Sequence, residues 1–212
     1  PLPAAAARPH RIQSLPGVVS PDSLGPAVSA DYVPVGVSGD ELETATVRIP
    51  PASLFLVLGP RGSGRTSFLH QVKRAAHTSL DSRLVTGPAD LLPVIDALDR
   101  TNEPPESMLV LVDNADSLPP PAHQQLAVLQ AKGVRLVLAA LPGPQLTVRL
   151  PLAVQVRSAP RGVLLAPAGP ADGEILGVRV DPATRHPAGR CYLVEGPVVR
   201  EAQAAAATEP SG

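Results

Sequence analysis

Three short, mainly apolar runs constrain the fold of this chain more than any other feature. The first run, residues 54–59 (LFLVLG), leads into a glycine-rich stretch and then into residues with helical spacing. A second run covers 108–113 (MLVLVD) and a third covers 134–139 (VRLVLA), with a helical pattern over 121–131 between them. Unbroken runs of this length are typical of parallel strands that are buried on both faces. The alternation of strand and helix predicts βαβ units and therefore an α/β fold with a mainly parallel central sheet.

Shorter patterns on either side of these runs predict the rest of the sheet. Turn-forming residues at 38–40 separate two strand-like stretches, 32–37 and 45–49, which predicts a hairpin ahead of the first run. Beyond Pro142 the pattern loosens, and we interpret the segments that follow as the far edge of the sheet and a terminal β-hairpin. The remaining predicted elements are a strand over 83–86, a helix beginning at Pro88, short segments over 152–156 and 162–167, a helical turn over 171–177 and the hairpin over 191–199.

The same patterns divide the chain into an arm, one domain and a tail. Residues 1–31 are rich in proline and lack a helical period, which predicts an extended linker or, alternatively, a strand or strap that residues 10–15 add to the core. Residues 32–204 form the predicted domain, and 205–212 form a predicted disordered tail. Because the chain opens with proline and its only methionine is Met108, we expect it to be a segment of a longer protein.

Composition narrows the class of protein. A formal net charge of -1 argues against a large nucleic-acid footprint, which usually appears as a basic stripe. The only cysteine is Cys191, so the chain has no internal disulfide, which fits a cytoplasmic location. Cys191 lies in an apolar segment and is expected to be buried. No apolar run reaches the ~18 residues that a membrane-spanning helix needs, so any membrane attachment is expected through other domains.

The glycine-rich stretch that follows the first run matches the phosphate-binding pattern G-x-x-x-x-G-K-[ST] at every fixed position but one. Gly62 and Gly64 allow the loop to wrap so that backbone N–H groups converge on phosphate oxygens, and the following helix presents its N-terminus to the same anion. The hydroxyl of Thr66 can bind Mg²⁺. The pattern predicts ATP and Mg²⁺ as ligands, the alternative being a structural turn. The predicted nucleotide-binding residues are Gly59, Pro60, Arg61, Gly62, Ser63, Gly64, Arg65, Thr66 and Ser67.

Several departures from the ATPase pattern predict weak hydrolysis. Arg65 stands where the loop lysine is expected, and a broad, planar guanidinium does not replace a compact ammonium in a tight cradle, although it can still bind phosphate. Asp113, at the end of the second run, is the predicted Walker B aspartate and a metal-binding residue together with Thr66. Asn114 occupies the position that is usually acidic and cannot act as a general base, while Asp116 is a candidate to compensate. Residues 139–141 are apolar where a polar sensor is expected. We therefore assign no catalytic residue and interpret the motif as degenerate.

Several stretches resemble the FtsK/SpoIIIE family of motor ATPases. Residues 33–50 resemble the hairpin before the family's phosphate loop, 59–69 the loop itself and 111–119 its metal-binding segment. Two C-terminal stretches, 161–180 with its ADGEILG turn and 186–196, resemble the segments that close the family's domain. The resemblance covers about residues 10–204 and is strongest to the last ATPase domain of the EccC-type motors of type VII secretion.

This resemblance implies a RecA/FtsK-like P-loop NTPase with three α/β/α layers. It implies partners of several kinds: other ATPase domains of the same chain, the C-terminal tail of WXG100-type secretion substrates, and further copies in a hexamer. The location it implies is the cytoplasmic face of a membrane, with the anchor in other domains. The domain would act in protein transport as a regulatory or substrate-docking module. The alternatives are a DNA-translocating ATPase, which the net charge and Asn114 disfavour, and a non-enzymatic scaffold.

Overall fold

The computed structural model describes residues 13–27, 29–100, 104–180 and 187–206 and shows one nine-stranded sheet with helices on both faces. Its strands are β1 (Tyr32–Ser38), β2 (Glu43–Arg48), β3 (Leu54–Leu58), β4 (Asp81–Val85), β5 (Met108–Val112), β6 (Arg135–Ala140), β7 (Arg161–Leu165), β8 (Arg190–Glu195) and β9 (Val198–Ala204). Its helices are α1 (Arg65–Ala76), α2 (Leu91–Arg100), α3 (Pro120–Ala131) and α4 (Leu146–Arg149). Short 3₁₀ helices cover Pro21–Ser23, Pro88–Asp90, Pro105–Ser107, Ala115–Ser117, Pro151–Arg157 and Pro170–Leu176.

The sheet combines a parallel half and an antiparallel half in the order β2-β1-β9-β8-β7-β3-β6-β5-β4. Strands β7, β3, β6, β5 and β4 run parallel to one another, so their carboxyl ends meet at one edge of the sheet. The other four strands pair antiparallel and extend the sheet beyond β7. The predicted α/β fold with a mainly parallel centre and a terminal hairpin is confirmed.

Burial on both faces explains why the central strands are unbroken apolar runs. In β3, Leu56 and Leu58 pack into the core beneath α2 and α3, whereas Phe55 and Val57 pack into the core on the α1 side. Helix α1 presents Phe68 and its neighbours at helical spacing to this second core. Because both faces are covered by helices, the predicted three-layer arrangement is also confirmed.

The prediction that the C-terminal segments form the far edge of the sheet is wrong. Strand β7 pairs directly with β3, and the hairpin β8–β9 lies between β7 and β1, so the edges of the sheet are β2 and β4. Residues 152–156 belong to the 3₁₀ helix Pro151–Arg157 and form no strand. The buried side chains of this helix, Leu152, Ala153 and Val156, have a helical spacing, and a leading proline suits a first turn.

Residues 13–19, called the strap below, lie against the antiparallel half of the sheet. Val19 is buried, and the chain continues to the 3₁₀ helix Pro21–Ser23. Hydrogen bonds attach the strap to the core: Gln13 N to Asp40 O (3.0 Å), Arg190 Nη2 to Leu15 O (3.2 Å), Gln203 Nε2 to Gly17 O (3.2 Å) and Ala206 N to Val19 O (3.0 Å). The start of the predicted arm, 1–12, and most of the predicted tail, 207–212, lie outside the described residues.

The lone thiol, Cys191, is buried in β8, with 1% of its surface exposed, and donates to the carbonyl of Ala202 at 3.6 Å. Burial raises the pKa of this thiol to about 12, because the thiolate is poorly solvated there. We expect no maleimide modification of the native protein near pH 8 and full modification in denaturant, measured by mass spectrometry. Rapid stoichiometric modification of the native protein would contradict this burial.

Asp90 closes the turn that begins helix α2. Its Oδ2 accepts hydrogen bonds from the Thr86 N–H, the Thr86 hydroxyl and the Gly87 N–H, and these bonds, led by that from the Thr86 N–H, lower the pKa of Asp90 below its ordinary value of 3.8. A lowered pKa means that the carboxylate stabilises the fold above about pH 4 and that this contribution is lost as the pH falls through the folded-state pKa.

The substitution Asp90→Asn is therefore expected to lower the melting temperature near pH 7, because the charged acceptor is lost. The difference from the unchanged protein should shrink as the pH falls below about 3.8 and through the lowered pKa of the folded state, where that acceptor becomes protonated. Thermal melts followed by circular dichroism across this pH range test the effect, with the exposed Asp40→Asn as the control. A difference that is constant with pH would refute it.

Candidate nucleotide-binding site

The predicted phosphate loop lies between β3 and α1, at the carboxyl edge of the parallel strands. Gly62 and Gly64 have left-handed backbones, with φ of 78° and 94°, and Gly64 caps the start of α1 without a side-chain hydrogen bond. A Cβ on Gly59 would lie 2.3 Å from Ser63 Oγ and 2.8 Å from the Leu165 carbonyl oxygen, so only glycine fits there. The free N–H groups of the first turn of α1 face the space above this edge.

The other predicted loop residues differ in exposure. The turn is closed by a hydrogen bond from Ser63 N to Pro60 O at 3.2 Å, and Arg61 is exposed at its tip. The hydroxyl of Ser63 is buried and has no hydrogen-bond partner in the described part of the chain. Ser67, the third residue of α1, is exposed. Ser63 and Ser67 both line the cavity described below.

The two residues predicted to bind metal are in direct contact. Thr66 Oγ1 donates to Asp113 Oδ2 at 2.7 Å, and the second carboxylate oxygen of Asp113 accepts from Asn114 N at 2.9 Å. Within the described ranges no group of three or more His, Cys, Asp or Glu side chains could hold a metal by itself. Mg²⁺ needs no such group, because it keeps several waters and takes its other ligands from one or two protein oxygens and phosphates. The hydroxyl–carboxylate pair fits that ion.

Arg65 contacts Asn114, so the two main departures from the ATPase pattern meet in space. Arg65 Nη2 donates to Asn114 Oδ1 at 3.1 Å, and the arginine side chain is buried, with 8% of its surface exposed. Its Nη1 is buried with no hydrogen-bond partner among the residues described. Asn114 itself adopts a left-handed backbone, with φ of 48°, where β5 ends. Sequence reasoning identified both residues but not their contact, which depends on the order of the strands.

Asp116 and the end of β6 lie on the other side of this contact. Asp116 Oδ1 accepts from Leu141 N at 3.4 Å, and its Oδ2 lies 3.4 Å from Arg149 Nη1. Its side chain is only 2% exposed. The last residues of β6, Ala139 and Ala140, are fully buried and offer no polar side chain. Asp116 is thus engaged with the connection from β6 to α4.

A cavity of about 540 Å³ lies beside the phosphate loop, on the side away from Asp113. The loop and α1 form one wall, the end of β7 and the strap form others, and the last residues of β9 close it. Its polar side chains are Ser63, Ser67 and Gln203. Gln203 is fully engaged: Nε2 donates to Gly17 O (3.2 Å) and Ala188 O (2.6 Å), and Oε1 accepts from Arg190 Nε (3.1 Å). The cavity therefore offers aliphatic surface, which suits the apolar faces of a planar ring, and backbone groups, which suit its polar edges.

Sequence reasoning missed this cavity because its walls come from distant parts of the chain. Gly17 and Val18 lie in the proline-rich arm, Ala204 ends the predicted domain, and residues 205–206 begin the predicted tail. None of these residues belongs to a known ligand motif.

Within the described ranges, no helix has the length and apolar character needed to cross a membrane.

Comparison with known proteins finds solved structures with a similar fold. No family model and no curated protein matches the chain. Its fold is similar to that of the cytoplasmic domain of the Thermomonospora curvata type VII secretion ATPase EccC, with a TM-score of 0.67 and 18% identity over 93% of this chain and 29% of that chain. ATPases 2 and 3 of EccC from the same organism, in complex with a signal sequence peptide, give a TM-score of 0.62 and 17% identity over 93% of this chain and 44% of that chain. The monomer form of the pCW3 conjugation coupling protein TcpA, with ATPγS, gives a TM-score of 0.62 and 12% identity over 92% of this chain and 72% of that chain.

The fold and the loop define a P-loop NTPase-type α/β domain. More particularly, the fold is that of the ATPase domains in EccC-type motors, and the resemblance deduced from the sequence is confirmed at the level of the fold. This chain spans less than half the length of the two EccC chains that it matches.

Proposed function

We propose that this chain is a nucleotide-binding, weakly hydrolysing ATPase domain of a type VII secretion motor, acting as a regulatory or substrate-docking module. The observation that carries the proposal is the pair of contacts between the phosphate loop and the end of β5, Thr66 with Asp113 and Arg65 with Asn114. The contact between Thr66 and Asp113 is the arrangement that a magnesium–nucleotide site needs. The contact between Arg65 and Asn114 occupies the position where such a site usually carries its base.

Binding rests on groups that the loop already presents. Its left-handed glycines and the N-terminus of α1 provide the donors for phosphate oxygens, and the adjoining cavity has the size and aliphatic lining for the base and sugar. The buried Nη1 of Arg65 is a further donor without a partner among described residues, and a phosphate oxygen would satisfy it. Thr66 and Asp113 would hold Mg²⁺, whose chemistry is to neutralise charge on the phosphates.

Weak hydrolysis follows from what surrounds the expected position of the attacking water. The Asn114 amide cannot accept a proton from water, and its oxygen already accepts from Arg65. Asp116 is buried and engaged with Leu141 and Arg149. We therefore expect no general-base catalysis from Asn114 and little from Asp116, whose carboxylate is buried.

The secretion context is supported by the shared fold and by the organisation of the similar proteins. One of them contains several ATPases in one chain and is in complex with a signal sequence peptide. We therefore propose other ATPase domains of the same protein, further copies in a hexamer and the tail of a WXG100-type substrate as partners, with a location at the cytoplasmic face of a membrane. Saturable binding of a helical substrate-tail peptide, measured by fluorescence anisotropy, tests docking; absence of binding counts against it.

The first experiment is calorimetric titration of ATP with Mg²⁺ into the purified domain, with phosphate release followed in parallel. We expect binding with little turnover, and weaker binding for Thr66→Ala, which removes the metal-binding hydroxyl. The matched control Ser79→Ala removes a hydroxyl beyond α1 and should leave binding unchanged. Absence of binding at millimolar ATP would favour the scaffold alternative, and turnover stimulated by duplex DNA would favour the translocase.

A further inference from the structure

An arginine-lined cleft lies at the amino edge of the parallel strands, opposite to the phosphate loop. Arg48 at the end of β2, Arg161 at the start of β7 and Arg200 in β9 line it, over a floor that includes Phe55. Arg200 Nη2 lies 3.5 Å from the Thr46 carbonyl oxygen, and the Arg48 guanidinium lies 5.9 Å from the centre of the Tyr32 ring. We call this surface the arginine edge.

No acidic side chain forms an ion pair with the three arginines of the arginine edge among the described residues. Arg135, which is also at this end of the sheet, donates to Asp31 at 2.6 Å and to the Ile49 carbonyl at 2.8 Å. Arg200 donates only to a backbone carbonyl, that of Thr46. A carboxylate that reached the exposed parts of these guanidinium groups would form charge-assisted hydrogen bonds with them.

Exposed apolar side chains flank the same surface. Tyr32 is 40% exposed, and Val198 and Val199, which begin β9, are 52% and 40% exposed. Val198 pairs with Glu195 across the hairpin and lies on the same face of β9 as Arg200, two residues further on, whereas Val199 lies on the other face. Arginine and tyrosine beside aliphatic surface is the composition of protein interfaces, in which desolvated arginines carry much of the binding energy.

We propose that the arginine edge binds an acidic segment of a protein partner, in which Asp or Glu side chains alternate with aliphatic ones. The carboxylates would accept from Arg48, Arg161 and Arg200, and the aliphatic groups would cover Val198. Duplex DNA fits less well, because Glu195 lies in the same cleft and DNA binding usually involves about six to ten phosphate contacts. The proposal does not rest on nucleotide binding, since the surface lies at the other end of the strands.

The test measures the anisotropy of a short fluorescein-labelled peptide in which glutamate alternates with alanine and leucine, titrated with the full chain. The double variant Arg161→Gln/Arg200→Gln should weaken binding by about tenfold or more, because charge-assisted hydrogen bonds are lost. The matched control Arg83→Gln/Arg100→Gln makes the same charge change on β4 and α2, where both arginines are exposed and paired with Asp81 and Asp96. It should change the affinity by less than about twofold. Circular dichroism melts verify that all variants fold.

Three results would overturn the proposal. Equal loss of affinity in both double variants would mean that only net charge matters. Equal binding of a peptide with glutamine in place of glutamate would exclude recognition of carboxylates. Tighter binding of a short DNA duplex, lost in the Arg161→Gln/Arg200→Gln variant alone, would assign the surface to nucleic acid instead.

Discussion

Replacing Arg65 by lysine and Asn114 by glutamate together is expected to raise the rate of ATP hydrolysis by roughly 10²-fold, the lower range of what a positioned general base contributes. Lysine restores a compact ammonium to the phosphate cradle, and glutamate supplies a group that can accept a proton from water. The two changes must be combined because the residues are in contact. With Asn114→Glu alone, the new carboxylate would pair with Arg65 and would not be free to act as a base.

A phosphate-release assay on the two single variants and the double variant measures this coupling, because residues in contact give non-additive effects. Adding Thr66→Ala to the double variant is the control and should abolish the gain, since the metal-binding hydroxyl is lost. An unchanged rate in the double variant would place the defect elsewhere, in the apolar residues 139–141 or in a site completed by a second subunit.

The substitution Gly36→Ala is expected to lower the free energy of unfolding by about 3 kcal/mol, the upper range for overpacking of a tight core. Gly36 follows an irregularity in the pairing of β1 with β2 and pairs with Ala204 on β9. A Cβ there would lie 2.1 Å from the Gln203 carbonyl oxygen and 2.9 Å from the Ala204 Cα. Both are backbone atoms, so β1 and β9 would have to separate.

Urea denaturation followed by circular dichroism measures this loss, with Gly25→Ala as the matched control. A Cβ on Gly25 meets no atom within 4 Å, so the control should change stability by less than about 0.5 kcal/mol. Equal stability of the two variants would show that β1 and β9 can move apart without penalty.

The parallel half of the fold could be predicted because each central strand is apolar throughout. In β3 and β5 every residue is buried, and this requires two covered faces, so sequence alone indicates helices above and below the sheet. Helix α1 could be placed because its buried residues follow the helical period directly after the glycine loop.

The antiparallel half could not be ordered from the sequence. The pairing of β7, β8, β9 and β1 joins the start of the domain to its end, so no local pattern reports it. Residues 152–156 were ambiguous for a different reason. A short apolar segment after a proline suits either a strand or a helical turn, and only packing of Val156 and its neighbours into the core decides between them.

The candidate site also has a part that could be predicted from the sequence and a part that could not. The loop and Asp113 could be predicted because each follows a buried strand at a fixed spacing. The contact between Arg65 and Asn114 could not, because it requires the end of β5 to lie opposite the start of α1 with β6 between the strands. The sequence therefore presents Arg65 and Asn114 as two independent departures from the ATPase pattern, whereas the structure shows one hydrogen-bonded pair.

The attachment of the strap to β9 determines how this domain responds to mechanical load. The strap and the last described residues meet at Gly17–Gln203 and at Val19–Ala206, and both contacts adjoin the cavity beside the phosphate loop. Tension on the backbone at residue 206 would act first on the hydrogen bond to Val19, beside that cavity, whereas tension at residue 13 would act first on the Gln13–Asp40 bond. A pull on the carboxyl end would therefore widen the proposed nucleotide pocket before it disturbed the parallel core, and would couple force to nucleotide affinity.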